Sequence, residues 1–145
     1  MRITVKIQGQ DKLIKKLEAF GKEGVKMIED TTKINAQDIE AEAKRLAPVD
    51  NGDLKQNIKA QSIDPLNYVV TAYMPYSAYQ EFGTGSLAEI PEEMQEIANQ
   101  FNKHQNRYSI PPQPFMYPAF VKVRKQYPKD LEQGLEILTK KYSDD

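Results

Sequence analysis

The sequence contains no cysteine, no tryptophan and a single histidine, His104, among its 145 residues. Disulfides and thiolate metal sites are therefore excluded, and one histidine leaves no multi-histidine zinc site within one chain. An excess of charge is missing too, since 20 Lys+Arg against 21 Asp+Glu leave a net charge of −1. A protein that grips nucleic acid through phosphates needs a net basic face, because counterion release drives that binding. Lys15-Lys16, Lys122/Arg124/Lys125 and Lys140-Lys141 are small basic clusters with acids close by, and they read as solvated helix faces. No apolar stretch approaches the ~20 residues of a membrane span. The alternating start Met1-Arg2-Ile3-Thr4-Val5-Lys6-Ile7 lacks the apolar block of a signal peptide. The expectation is a protein made and kept in a cytoplasm, or packed into a particle assembled there.

Apolar residues are also scarce, at 39% with a mean hydropathy of −0.68. A chain of this length buries a real core but has little apolar surface to spare, so neighbours in an oligomer are expected to add stability. The length implies one domain spanning 1–145.

What is present is patterned. Ile3, Val5 and Ile7 alternate with polar residues, the period of a half-buried strand. From Asp11 to Leu46, Ile14, Leu17, Gly21, Val25, Ile28, Thr32, Ala36, Ile39, Ala43 and Leu46 recur at helical steps. Gly21 and Gly24 interrupt this stripe and mark a bend, a break into two helices, or a close contact with another backbone. Ala47-Pro48 stops the helix, because the residue before proline is pushed out of the α region. Val49-Asp50-Asn51-Gly52 reads as a turn, and Leu54 to Ile63 as a helical turn running into a strand. After a second turn at Asp64–Asn67, Tyr68–Tyr73 is β-branched and aromatic and predicts the other arm of a hairpin, with the first strand on one edge.

Tyr76 to Gly83 predicts one or two helical turns. A further helix starts at Pro91, with Ile90, Met94, Ile97 and Phe101 as its apolar stripe. Asn102 to Pro114 reads as a loop. Pro118 opens a last helix whose buried face is Phe120, Val123, Tyr127, Leu131, Leu135, Leu138 and Tyr142, kinked or split at Pro128. The expected class is α+β: a small, mostly antiparallel sheet of about three strands packed by a long N-terminal helix and a C-terminal helix.

Candidate chemistry is thin. His104 lies in a polar loop and no serine has a nucleophile-elbow context. Neither phosphate-binding glycine motif is present. Glu81, among Tyr79, Phe82 and Gly83, is the one carboxylate whose surroundings suit a raised pKa and general-acid work, yet no second carboxylate is placed beside it. The plainer role for Glu81 is to cap backbone amides or to pair with a cation at a subunit contact.

Four blocks then occur in order. They are Ala47-Pro48-Val49-Asp50-Asn51-Gly52-Asp53-Leu54 after the long helix, and Tyr76-Ser77-Ala78-Tyr79-Gln80-Glu81-Phe82-Gly83-Thr84 after the hairpin. Pro112-Gln113-Pro114-Phe115-Met116-Tyr117-Pro118-Ala119 and the amphipathic C-terminal helix follow. From about Ala36 to Leu138 this order resembles the tail-component family of lambda-like long-tailed bacteriophages, the head–tail joining or tail-completion proteins of the neck. The sequence departs from the family at Asn51, where Thr or Ser is more usual, and by a helical insert at about residues 86–110.

The resemblance implies a structural virion protein, made in the bacterial host and forming a ring between the head connector and the tail tube. Its partners would be copies of itself and neighbouring connector, stopper, tail-terminator or tail-tube proteins, with DNA only passing through the channel. No catalytic residue, metal, cofactor or membrane is implied. Tyr76, Tyr79, Glu81, Phe82, Gly83, Thr84, Pro114, Phe115, Tyr117 and Pro118 would form the motif core or an adjoining interface. The rival readings are a hydrolase using Glu81 and a nucleic-acid-binding accessory protein.

Overall fold

Two glycines divide the long N-terminal helical stripe. The computed structural model describes residues 3–7, 11–49, 52–85, 90–101 and 109–143, with side chains from residue 11 onward. β1 (Ile3–Ile7) is followed by α1 (Asp11–Glu18) and α2 (Lys22–Leu46), so the long helical stripe is carried by two helices. Gly21 makes the break at φ 69°, with its N–H donating to the Glu18 carbonyl at 2.9 Å. Gly24 makes the close contact: a Cβ there would stand 1.5 Å from the Leu17 carbonyl oxygen. Beyond the break Ile28, Thr32, Ala36, Ile39 and Ala43 are buried as the stripe requires, while Val25 is exposed because Gly24 takes the position against α1. Ala47 ends α2 in an extended conformation before Pro48.

α3 (Gly52–Gln56) leads into β2 (Ile58–Asp64) and β3 (Asn67–Ala72). Asp50 and Asn51 of the expected turn lie outside the described residues. The Asp64 carboxylate closes the hairpin by accepting the Leu66 N–H at 2.9 Å, an Asx turn. The sheet runs β1-β3-β2 and is antiparallel throughout, with Val5 and Ala60 both opposite Val70. Ile58, Val70 and Ala72 are fully buried on the face covered by the helices, and Lys59 and Gln61 alternate onto the other before the register shifts between Ser62 and Asp64. At the β2 edge, Glu40 Oε2 from α2 accepts the Ala60 N–H at 2.6 Å. That contact occupies an edge donor otherwise open to strand pairing.

α4 (Ser77–Phe82), α5 (Glu92–Ala98) and α6 (Met116–Ser143) complete the chain, an α+β fold. Pro128 does not split α6, which is one helix from Met116 to Ser143. An interior proline costs a helix about 3 kcal/mol, and here buried Tyr127 and Leu131 anchor the helix on both sides of it. Two polar ties set α6 against α2: Thr32 Oγ1 with the Tyr127 hydroxyl at 2.6 Å, and Asn35 Nδ2 donating to Asp130 Oδ2 at 3.0 Å. Tyr142, expected inside, is exposed and stacks on Phe20 with ring centroids 5.7 Å apart.

A second, smaller cluster joins α4 to the insert through Ala78, Phe82, Ile90, Ala98 and Phe101. Pro91 stands just outside α5 as its N-cap, and Ala98 fills the inward position assigned to Ile97, which is exposed. The steps Ile90, Met94, Ala98 and Phe101 keep a helical period without the larger side chain. Residues 86–89 and 102–108 of the insert, His104 among them, lie outside the described residues. No helix among the described residues is long and apolar enough to cross a membrane.

Farther along the α2–α6 seam, Glu42 accepts Arg45 Nη2 at 2.5 Å and faces Lys122 Nζ at 3.4 Å. The Arg45 hydrogen bond, aided by Lys122, holds the Glu42 carboxyl down at about 2. A carboxylate lowered from 4.5 contributes stability that is present above that value and is lost as pH falls towards 2. In urea melts between pH 5 and pH 2, Glu42→Gln should shed part of the wild-type acid sensitivity. An unchanged pH slope would show that this ion pair does not contribute to the fold.

Candidate functional site

The second and third motif blocks are far apart in sequence and meet in space. α4 ends at Gly83, whose N–H donates to the Tyr79 carbonyl at 2.8 Å while φ reaches 67°. A side chain at Gly83 would also strike the returning loop, with a Cβ 2.5 Å from the Ile110 oxygen and 2.7 Å from the Pro112 nitrogen. Only glycine combines that φ with that approach. The loop is then stitched to α4 by backbone bonds: Thr84 N–H to the Ile110 carbonyl at 2.9 Å, and Gln113 N–H to the Gln80 carbonyl at 2.8 Å. Thr84 Oγ1 accepts the Ile110 N–H at 2.8 Å.

Glu81 is the centre of this clasp. It is 1% exposed, and its carboxylate accepts the backbone N–H groups of Phe115 at 2.8 Å, Met116 at 2.9 Å and Tyr117 at 2.9 Å. A helix beginning at Met116 leaves the amides of residues 115–118 without intrahelical partners. Glu81 satisfies three of these, and the fourth position is Pro118, which has no N–H to satisfy. The positive end of the α6 dipole also faces the carboxylate. Burial pushes the Glu81 carboxyl up to about 7, and the Phe115 and Met116 amides pull it the other way.

The remaining motif residues surround this point. Phe115 is fully buried in the main core, where Tyr76 packs half-buried at the α4 N-cap. Phe82 lies in the smaller cluster, stacked on Phe101 at 6.0 Å, and Tyr79 meets the same ring edge-on at 5.7 Å while staying 42% exposed. Tyr117 and Pro118 are half-buried and Pro114 is exposed. A cavity of about 130 Å³ beside Glu81 is lined by Phe82, Ile90, Met94, Pro112, Tyr117 and Pro118, among others. Both oxygens of Glu81 are engaged by amides, which makes it a cap joining two segments. Among the described residues no group of three or more His, Cys, Asp or Glu is arranged to hold a metal.

Sequence reasoning missed the α2–α6 polar ties and the Glu40 contact with Ala60. Thr32 and Tyr127 did stand in the two apolar stripes, a signal that both hydroxyls would need an internal partner. Asn35 gave no such signal, though it is fully buried.

Residues 11–83, from the start of α1 to the glycine that ends α4, match the family model described as "Bacteriophage HK97-gp10, putative tail-component". The chain belongs to this family. The match covers the first motif block and the second as far as Gly83, and the segment that Glu81 caps lies beyond it. Membership makes the protein a phage tail component, a virion part that meets other virion proteins, and points to a structural role. No curated protein and no solved structure matches the chain.

Proposed function

We propose that this tail component acts in the phage neck, as a head–tail connector or tail-completion protein that closes into a ring between the head connector and the tail tube. The carrying observation is the Glu81 clasp. It commits the one buried acid among the described residues to holding backbone, in a chain of a tail-component family. The result is a fixed platform of α4, the returning loop and the start of α6. Tyr79, Pro114 and Tyr117 lie on it with surface to offer a neighbour. Residues 1–145 act as one unit, and the described part of the insert, Ile90 and α5 to Phe101, packs on α4. Near-zero net charge suits a channel wall that lets DNA pass without holding it. No cofactor or substrate takes part.

Mixing the purified chain with the connector and tail-tube proteins of the same phage should give ring-shaped particles by electron microscopy. A chain that stays monomeric and binds none of them would overturn the reading. The same preparation should show no cell-wall lysis, and lysis abolished by Glu81→Gln would replace this proposal with the hydrolase.

A further inference from the structure

The seam between α2 and α6 carries an apolar and acidic surface that the clasp does not use. Ile34 and Ile137, each 54% exposed, line a groove of about 260 Å³ together with Met27, Asn35, Asp130 and Gly134. Exposed apolar side chains scattered singly are ordinary, but a pair lining one groove marks a contact surface. Beside them stand two carboxylates, Asp38 and Asp130. Asp130 accepts only neutral amides, from Asn35 at 3.0 Å and Gln126 at 2.7 Å. Neither Asp38 nor Asp130 forms an ion pair among the described residues. Asp38 shares its groove with Arg45 and Lys122, both of which are paired with Glu42, and burial with the nearby charge of Asp130 raises its pKa. A cation beside an apolar side chain is the complement of such a surface.

The chain itself carries that complement. On β2, Lys59 is exposed on the sheet face turned away from the helices, and Ile63, at the register shift between Ser62 and Asp64, is 62% exposed. Lys59 stands near Glu40, but that carboxylate is paired with Lys44 at 2.6 Å and caps Ala60, leaving the lysine without an ion pair among the described residues. We infer that the α2–α6 seam around Ile34, Asp38, Asp130 and Ile137 receives β2, with its exposed Lys59 and Ile63, from a second copy of the chain. The two surfaces differ, so each contact leaves one seam and one β2 surface free for further copies. This is the head-to-tail arrangement that a ring requires. The inference rests on the self-assembly reading above and names its surface.

The absence of native cysteine makes a direct test available. Ile34→Cys and Ile63→Cys, purified separately, mixed and oxidised, should give a 34–63 cross-linked dimer, and one chain carrying both should give a ladder. Asp38→Lys and Lys59→Glu should each weaken self-association about tenfold, near 1.4 kcal/mol, and the double variant should restore it. Circular dichroism confirms that each variant is folded. Predominant 34–34 or 63–63 dimers, or a double variant no better than the singles, would overturn the inference. Oligomers that form without any 34–63 cross-link reject this surface and leave self-assembly standing. No oligomer, alone or with tail partners, removes the self-assembly reading itself.

Discussion

Replacing Glu81 with alanine should destabilise the fold by about 3–5 kcal/mol, since it strips a helix cap and leaves several amides inside without acceptors. Three N–H groups lose their partner at once, those of Phe115, Met116 and Tyr117. No local residue replaces the cap, because Phe115 precedes the helix and its side chain has no acceptor. Glu81→Gln is the sharper comparison. One amide oxygen still accepts, while the titratable group is removed. Burial lifts the Glu81 carboxyl from 4.5 to about 7, so the folded chain takes up a proton that the unfolded chain has already released. Its stability contribution is therefore largest below 4.5 and declines as pH rises through 7. Urea melts at several pH values should show that decline in wild type and not in Glu81→Gln. An alanine variant within 1 kcal/mol of wild type would mean that the three amides find other partners.

How much of this was legible depends on distance along the chain. The α2 and α6 stripes and the β2–β3 hairpin were readable because periodicity is a local signal, and the buried faces of Ile28–Ala43 and Val123–Leu138 follow it. Errors fell where one helical position competed with its neighbour. Gly24 displaced Val25 at the elbow, and Ala98 displaced Ile97 in the small cluster, because closeness of approach outweighed apolar size. The identity of Glu81 as a cap was readable as an option from its neighbours. Its clients were not: the Phe115 amide lies 34 residues away, and N-caps are ordinarily supplied by the residue preceding the helix. Asn35 looked like a surface residue in sequence, and its amide is held inside by the Thr31 carbonyl of α2 and by Asp130 arriving from α6.

The same clasp connects fold to role. It ties α4, the last element in the family match, to α6, which runs back along α2 for most of its length. The Tyr79–Tyr117 surface is therefore tied to the main core by the Glu81 carboxylate and by the backbone bonds of the returning loop. A part that must hold position within a tail needs such stiffness.

Gly24→Ala should be the most damaging conservative change in the elbow, at about 3 kcal/mol. Helix propensity alone predicts the opposite sign, a gain of about 1 kcal/mol for removing glycine from a helix interior. Geometry decides between them, because the added Cβ would lie 1.5 Å from a backbone oxygen, that of Leu17, which no rotamer change can move. The chain relieves the clash only by undocking α1, which exposes the fully buried Leu17 and caps the loss at roughly the value of that side chain, about 2–3 kcal/mol plus its neighbours. Gly21→Ala is the control. Its φ of 69° pairs with a ψ of −137°, a region that glycine alone enters freely, yet nothing stands within 4 Å of the new Cβ, so only that backbone penalty of about 1–3 kcal/mol applies. Urea unfolding should rank Gly24→Ala below Gly21→Ala, and hydrogen exchange should show α1 amides opening first in the former. The reverse ranking would place the α1–α2 contact elsewhere than at Gly24.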